Sequence, residues 1–87
     1  MAAENGHLEV VKVLLDKGAT IDFQASRNQT ALHTAARKGH LEVVKVLLDK
    51  GATIDAMADL NRTALHTAAA NGHLEVVKVL LDKGATI

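Results

Sequence analysis

The sequence predicts an all-α protein: a solenoid of antiparallel helix pairs stacked side by side, with short hairpin or turn excursions between them. Three observations predict this. The segment from Gly39 to Ile54 recurs letter for letter at 6–21 and 72–87, an offset of 33 residues each time. Of the 54 residue pairs separated by 33, 44 are identical, and the differences start at residues 1, 4, 5, 23, 24, 26, 27, 29, 37 and 38 only. Each period also contains a helical pattern that is apolar on nearly every side, which a repeating stack satisfies by covering both flanks.

Within the central period the elements follow in order. Thr30-Ala-Leu-His33 opens a first helix. The Thr30 hydroxyl is placed to accept from an orphan backbone N–H, and His33, three residues on, occupies the reciprocal place of a capping box. Ala31, Ala35 and Ala36 favour helix and have little volume, so this helix can approach its neighbours closely. Gly39 ends it. A second helix runs from His40 to Lys50. Its polar residues Glu42, Lys45 and Asp49 form one narrow stripe, spaced for the ion pairs Glu42–Lys45 and Lys45–Asp49. Gly51 closes this helix, and Ala52 to Arg62 lack a helical period. With Asp55, Asp59 and Asn61, that excursion reads as a turn or short hairpin before Thr63 starts the next unit.

Composition excludes several function classes. Lys+Arg 10 balances Asp+Glu 10, so no basic surplus points to nucleic acid or to an acidic membrane. There is no cysteine to form a disulfide, ligate a metal or act as a nucleophile. Phe23 is the only aromatic residue, too few for a base-stacking platform. No apolar run approaches the roughly 20 residues of a membrane span, and Met1-Ala2-Ala3-Glu4 does not open a signal peptide. A soluble cytoplasmic or recombinant chain is the expectation, with the compartment unassigned. The five histidines (His7, His33, His40, His66 and His73) all belong to the repeated frame, spaced along the stack without a third ligand type, so they read as structural rather than metal-binding. Ser26 is the single serine, and no glycine arrangement matches a phosphate loop. No catalytic residue, cofactor or metal site is expected.

The period of 33 together with Thr30-Ala-Leu-His-Thr-Ala35, Thr63-Ala-Leu-His-Thr-Ala68 and the Gly-His-Leu-Glu openings resembles ankyrin repeats over the whole chain. Two positions depart from that pattern. Ala31 and Ala64 stand where the family usually has proline, and Asn28 and Asn61 where it usually has a turn glycine, asparagine being the next residue to accept a positive φ. The resemblance implies an L-shaped stack with protruding hairpins, used to bind proteins rather than to catalyse. Identity this high between copies points to a consensus or engineered array, although a recent duplication would leave the same trace. The frame divides the chain into a partial repeat (1–24), a complete one (25–57) and one without its final excursion (58–87).

The varying positions are the candidate protein-binding residues, because equivalent slots line up along one surface of a stack. They are Phe23, Gln24, Ser26, Arg27 and Gln29 in the first excursion, and Ala56, Met57, Asp59, Leu60 and Arg62 in the second. Arg37, Lys38, Ala70 and Asn71 join them at the ends of the first helices, as do Glu4 and Asn5. Designed ankyrin repeat proteins are diversified at slots of this kind. Phe23, Met57 and Leu60 are large apolar residues in loops, and arginine is over-represented in binding hot spots. A protein partner is therefore expected. The terminal copies Leu8–Leu15 and Leu74–Leu81 are as apolar as the central one, which raises a second expectation: a homo-oligomer formed through uncapped ends.

Overall fold

The computed structural model describes residues 7–18 and 20–87. Five helices follow in order: α1 (Leu8–Asp16), α2 (Ala31–Lys38), α3 (Leu41–Asp49), α4 (Ala64–Ala70) and α5 (Leu74–Asp82). They form two layers. One holds α2 and α4, packed on each other; the other holds α1, α3 and α5 in sequence, and α2 and α4 rest on α3 and α5. The predicted all-α stack of helix pairs is what forms.

The caps follow the sequence closely. Thr30 is the N-cap of α2, with its side chain accepting from the His33 N–H while His33 Nδ1 accepts from the Thr30 N–H at 3.0 Å. Thr63 and His66 repeat this in α4. The second helices are one residue shorter at each end than expected, since His40 and Lys50 are the caps of α3 rather than its first and last turns.

The core runs along the helix interfaces. Leu32, Ala35 and Ala36 of α2, Val43, Val44 and Leu47 of α3, Leu65 and Ala68 of α4, and Val76 and Leu80 of α5 are all buried. Alanine at the α2–α4 contact lets the backbones come close, and aliphatic side chains fill the outer layer. Polar links join successive units. Thr53 donates through its N–H and hydroxyl to the two Asp22 carboxylate oxygens at 2.9 and 2.7 Å, and Thr86 does the same to Asp55 at 3.0 and 2.8 Å. The Asp55 carboxyl is held below its usual pKa by the Thr86 N–H first and the Thr86 hydroxyl second.

One expected ion pair takes a different partner. Glu42–Lys45 forms at 3.6 Å, but Asp49 pairs with Lys83 of the next unit at 3.7 Å instead of with Lys45. Asp16–Lys50 is the equivalent link one unit earlier, at 3.3 Å. The helix end faces its neighbour in the stack, so the nearer cation lies across the unit boundary.

Each described excursion is a tight hairpin. The Ala25 N–H donates to Gln29 O at 2.9 Å, and the Ala58 N–H to Arg62 O at 2.8 Å, with tight turns at Ser26–Asn28 and Asp59–Asn61 between them. Asn28 and Asn61 have φ of 57°, in line with the sequence. Arg27 and Leu60 also lie in the left-handed region, at 59° and 66°, which the sequence did not indicate. Two successive left-handed residues close the loop, at a strain of about 1–2 kcal/mol for a residue with a side chain.

Candidate protein-binding surface

The hairpins and the adjoining layer of first helices meet in one cleft of about 330 Å³, lined by Arg27, Gln29, His33, Arg37, Ala58, Asp59, Leu60, Arg62 and Thr67. Stacking by one unit is what assembles it. The tip of the first hairpin lies beside the second hairpin, and both stand next to the exposed edge of α2 and α4.

Hydrogen bonds set the register of the two hairpins. Gln24 Nε2 donates to Asn28 O at 3.0 Å and to Met57 O at 3.1 Å, the second bond crossing to the neighbouring hairpin. Asn28 Nδ2 donates to Asp59 Oδ1 at 2.8 Å. Behind them, His33 clamps both legs of the second hairpin. Because Nδ1 accepts from the Thr30 N–H, the proton of the neutral ring sits on Nε2, which donates to Ala56 O at 2.8 Å and Arg62 O at 3.1 Å. Burial lowers the His33 pKa, outweighing the two carbonyls, which favour the charged ring.

That direction has a consequence for stability. Between the lowered folded-state pKa and the ordinary value of 6.5, the unfolded chain binds a proton at this position that the folded chain does not. The His33 contribution is complete above pH 6.5 and declines as the pH falls through that window. Urea denaturation at pH 7 and pH 5 is expected to show a larger loss of stability for the wild type than for His33→Gln. Equal losses would remove His33 from the acid response.

The sequence-predicted residues are distributed as follows. Phe23, Met57 and Leu60 are 67%, 57% and 84% exposed. Gln24, Arg27, Lys38, Asp59, Arg62 and Asn71 are also exposed, while Gln29 and Arg37 are half-buried. The backbone of Ser26 lies in the first hairpin turn. The cleft brings together Arg27, Gln29, Arg37, Asp59, Leu60 and Arg62. Phe23, Gln24, Lys38, Met57 and Asn71 lie outside its lining. Gln24 and Asp59 use polar atoms to join the hairpins, and Asn71 Nδ2 donates to Thr67 O at 3.0 Å. Glu4 and Asn5 lie outside the described residues.

Sequence reasoning treated His33 as a helix cap and missed its hold on the hairpin. The only signal was its place in an unchanging frame, which does not say what its second ring nitrogen touches. His73 is similar: its Nε2 donates to Arg37 O at 2.9 Å, fixing the end of α2. Among the described residues no group of three or more His, Cys, Asp or Glu side chains could hold a metal ion. No described helix is long and apolar enough to cross a membrane.

A family model for ankyrin repeats, in three copies, matches residues 1–87. The chain belongs to the ankyrin-repeat family. Ankyrin repeats generally serve as scaffolds for protein–protein interaction and are typically non-enzymatic. The helix pairs described above are ankyrin units, and the cleft lies between their hairpins and first helices. A search of curated proteins returned no match to the chain.

Proposed function

We propose that this ankyrin array is a non-enzymatic binding scaffold that presents its hairpin and first-helix residues to a protein partner. The carrying observation is how exposed apolar side chains sort. Apart from those on α1, on α5 and at Ile87, the exposed large hydrophobics of the described residues are Phe23, Met57 and Leu60, all in the hairpins and all at slots that differ between copies. A rigid stack holds such residues in place before docking, so little conformational entropy is lost on binding. The near-identity of the remaining frame supports a consensus-built origin.

A second reading, assembly with copies of itself, is favoured by the outer faces of the array. Val10 and Leu14 of α1 are 47% and 50% exposed, although their counterparts Val43 and Leu47 are buried in the next unit. At the other side Leu74 and Leu81 of α5 are 61% and 40% exposed. The exposed face of α5 repeats the face of α3 that α5 covers, so one array can seat on another head to tail. Lys17 of one copy would then meet Asp82 of another as Lys50 meets Asp16. A contact of this heterologous kind propagates into a ring where its rotation closes and into an open filament where it does not.

One experiment tests both readings. Affinity capture with the wild type is compared with a Phe23→Ala/Met57→Ala/Leu60→Asn variant, with light scattering of each over a concentration series. The scaffold reading expects a captured protein whose affinity falls at least about thirtyfold in the variant, corresponding to about 2 kcal/mol or more. Capture that is indifferent to the three substitutions, with mass rising with concentration in both proteins, would instead establish self-assembly.

A further inference from the structure

We infer that the cleft between the hairpins binds an acidic segment of the protein partner, with Arg27 and Arg62 engaging its Asp or Glu carboxylates; this rests on the scaffold reading above. The sequence contains three arginines, Arg27, Arg37 and Arg62, and all three line this cleft. The chain as a whole is neutral, with ten basic and ten acidic residues, so the cleft is a local positive excess and not a sample of the surface. Its lining contains one carboxylate, Asp59, whose Oδ1 already accepts from Asn28 at 2.8 Å. Among the described residues no carboxylate stands within ion-pair distance of Arg27 or Arg62.

The arginines reach the cleft from three different elements. Arg27 is at the tip of the first hairpin, Arg62 at the base of the second and Arg37 in the last turn of α2. Each stands at a slot that is neutral in a described sister copy: Leu60 for Arg27, Gln29 for Arg62 and Ala70 for Arg37. The frame therefore does not need a guanidinium at any of the three. The elements that carry them are held in place: His33 Nε2 donates to Arg62 O at 3.1 Å, His73 Nε2 to Arg37 O at 2.9 Å, and the left-handed Arg27 backbone sits within a closed turn.

The chemistry of the site selects its ligand. A guanidinium presents a planar fork of donors that matches a carboxylate in two parallel hydrogen bonds, which a lysine does not offer. Leu60, on the same lining and 84% exposed, adds an apolar contact for a residue flanking the acid. About 330 Å³ accommodates one or two side chains rather than a folded domain. A polynucleotide fits less well, since the single ring, Phe23, lies outside its lining and offers no platform for a base there.

A phage-displayed library of random peptides, selected on the immobilised chain, tests the inference. The expected result is enrichment of sequences rich in Asp and Glu. Their binding should weaken at least about tenfold in an Arg27→Asn/Arg62→Gln variant that keeps the wild-type far-ultraviolet circular dichroism. Binding to the unmodified chain should also weaken as salt rises from about 50 to about 500 mM, a readout that needs no variant. Enrichment of neutral or basic peptides that Phe23→Ala or Leu60→Asn releases would overturn the acidic ligand and leave the scaffold standing. Failure to enrich any peptide over bare support would overturn both. A labelled single-stranded oligonucleotide that binds as tightly as the selected peptides, and is lost in the same arginine variant, would also overturn the inference.

Discussion

Replacing Leu47 by alanine is expected to lower the unfolding free energy by about 3–5 kcal/mol, whereas Leu14→Ala costs about 1 kcal/mol. The two leucines sit in the same stretch of sixteen identical letters. Leu47 is 1% exposed, enclosed between units, and its removal leaves a cavity that the flanking α1 and α5 cannot fill without breaking their own contacts. Leu14 is 50% exposed, so half of its transfer free energy is already forgone and water fills the gap. Urea denaturation followed by circular dichroism measures both values at one pH and protein concentration. Equal costs at the two positions would show that the units do not stack in the described order.

Gly39→Ala is expected to be the more damaging of a second pair, at about 2–3 kcal/mol against about 1 kcal/mol for Gly72→Ala. Both glycines have left-handed φ, 74° and 72°, so both substitutions carry the strain of a side chain in that region. Only Gly39 also touches a neighbour. A Cβ there would lie 2.7 Å from His73 Nδ1, 2.8 Å from Cε1 and 3.1 Å from Cγ, while nothing lies within 4 Å of a Cβ on Gly72. The His73 ring cannot swing aside cheaply, because its Nε2 is bonded to Arg37 O at 2.9 Å. Thermal unfolding of both variants, with His73→Ala as background, is the check. Removing the ring should bring the two costs together, and a persistent gap would rule out the ring as its cause.

Much of the fold was legible because it is written in local patterns. Thr30 and His33 signal a helix start through the reach of a hydroxyl and a ring nitrogen over one turn, and the contact forms. The left-handed turns at Asn28 and Asn61 were implied by the resemblance, since both stand where the family usually has a turn glycine. The exposed apolar faces of α1 and α5 followed from the period itself, since each unit covers only its neighbours. The cleft was less legible. Variation between copies puts Arg27, Arg37 and Arg62 on one expected surface, but their meeting in a single cleft depends on how far one unit is displaced from the next. Asp49 shows the same limit: its partner Lys83, 34 residues further along the chain, is a neighbour only in the stack.

The amino-acid order by itself determined the period, the helix limits to within a residue, the turn positions and the aliphatic character of the core. Each of these depends on interactions between residues a few positions apart, or on a pattern that repeats. Tertiary structure alone decided which of three identical leucines, Leu14, Leu47 and Leu80, lie under cover, and what the second nitrogens of His33 and His73 hold. It also decided that three arginines face one cleft. The physical reason is that burial and charge convergence belong to the contact between units, and identical local sequences acquire different energies from what stands beside them.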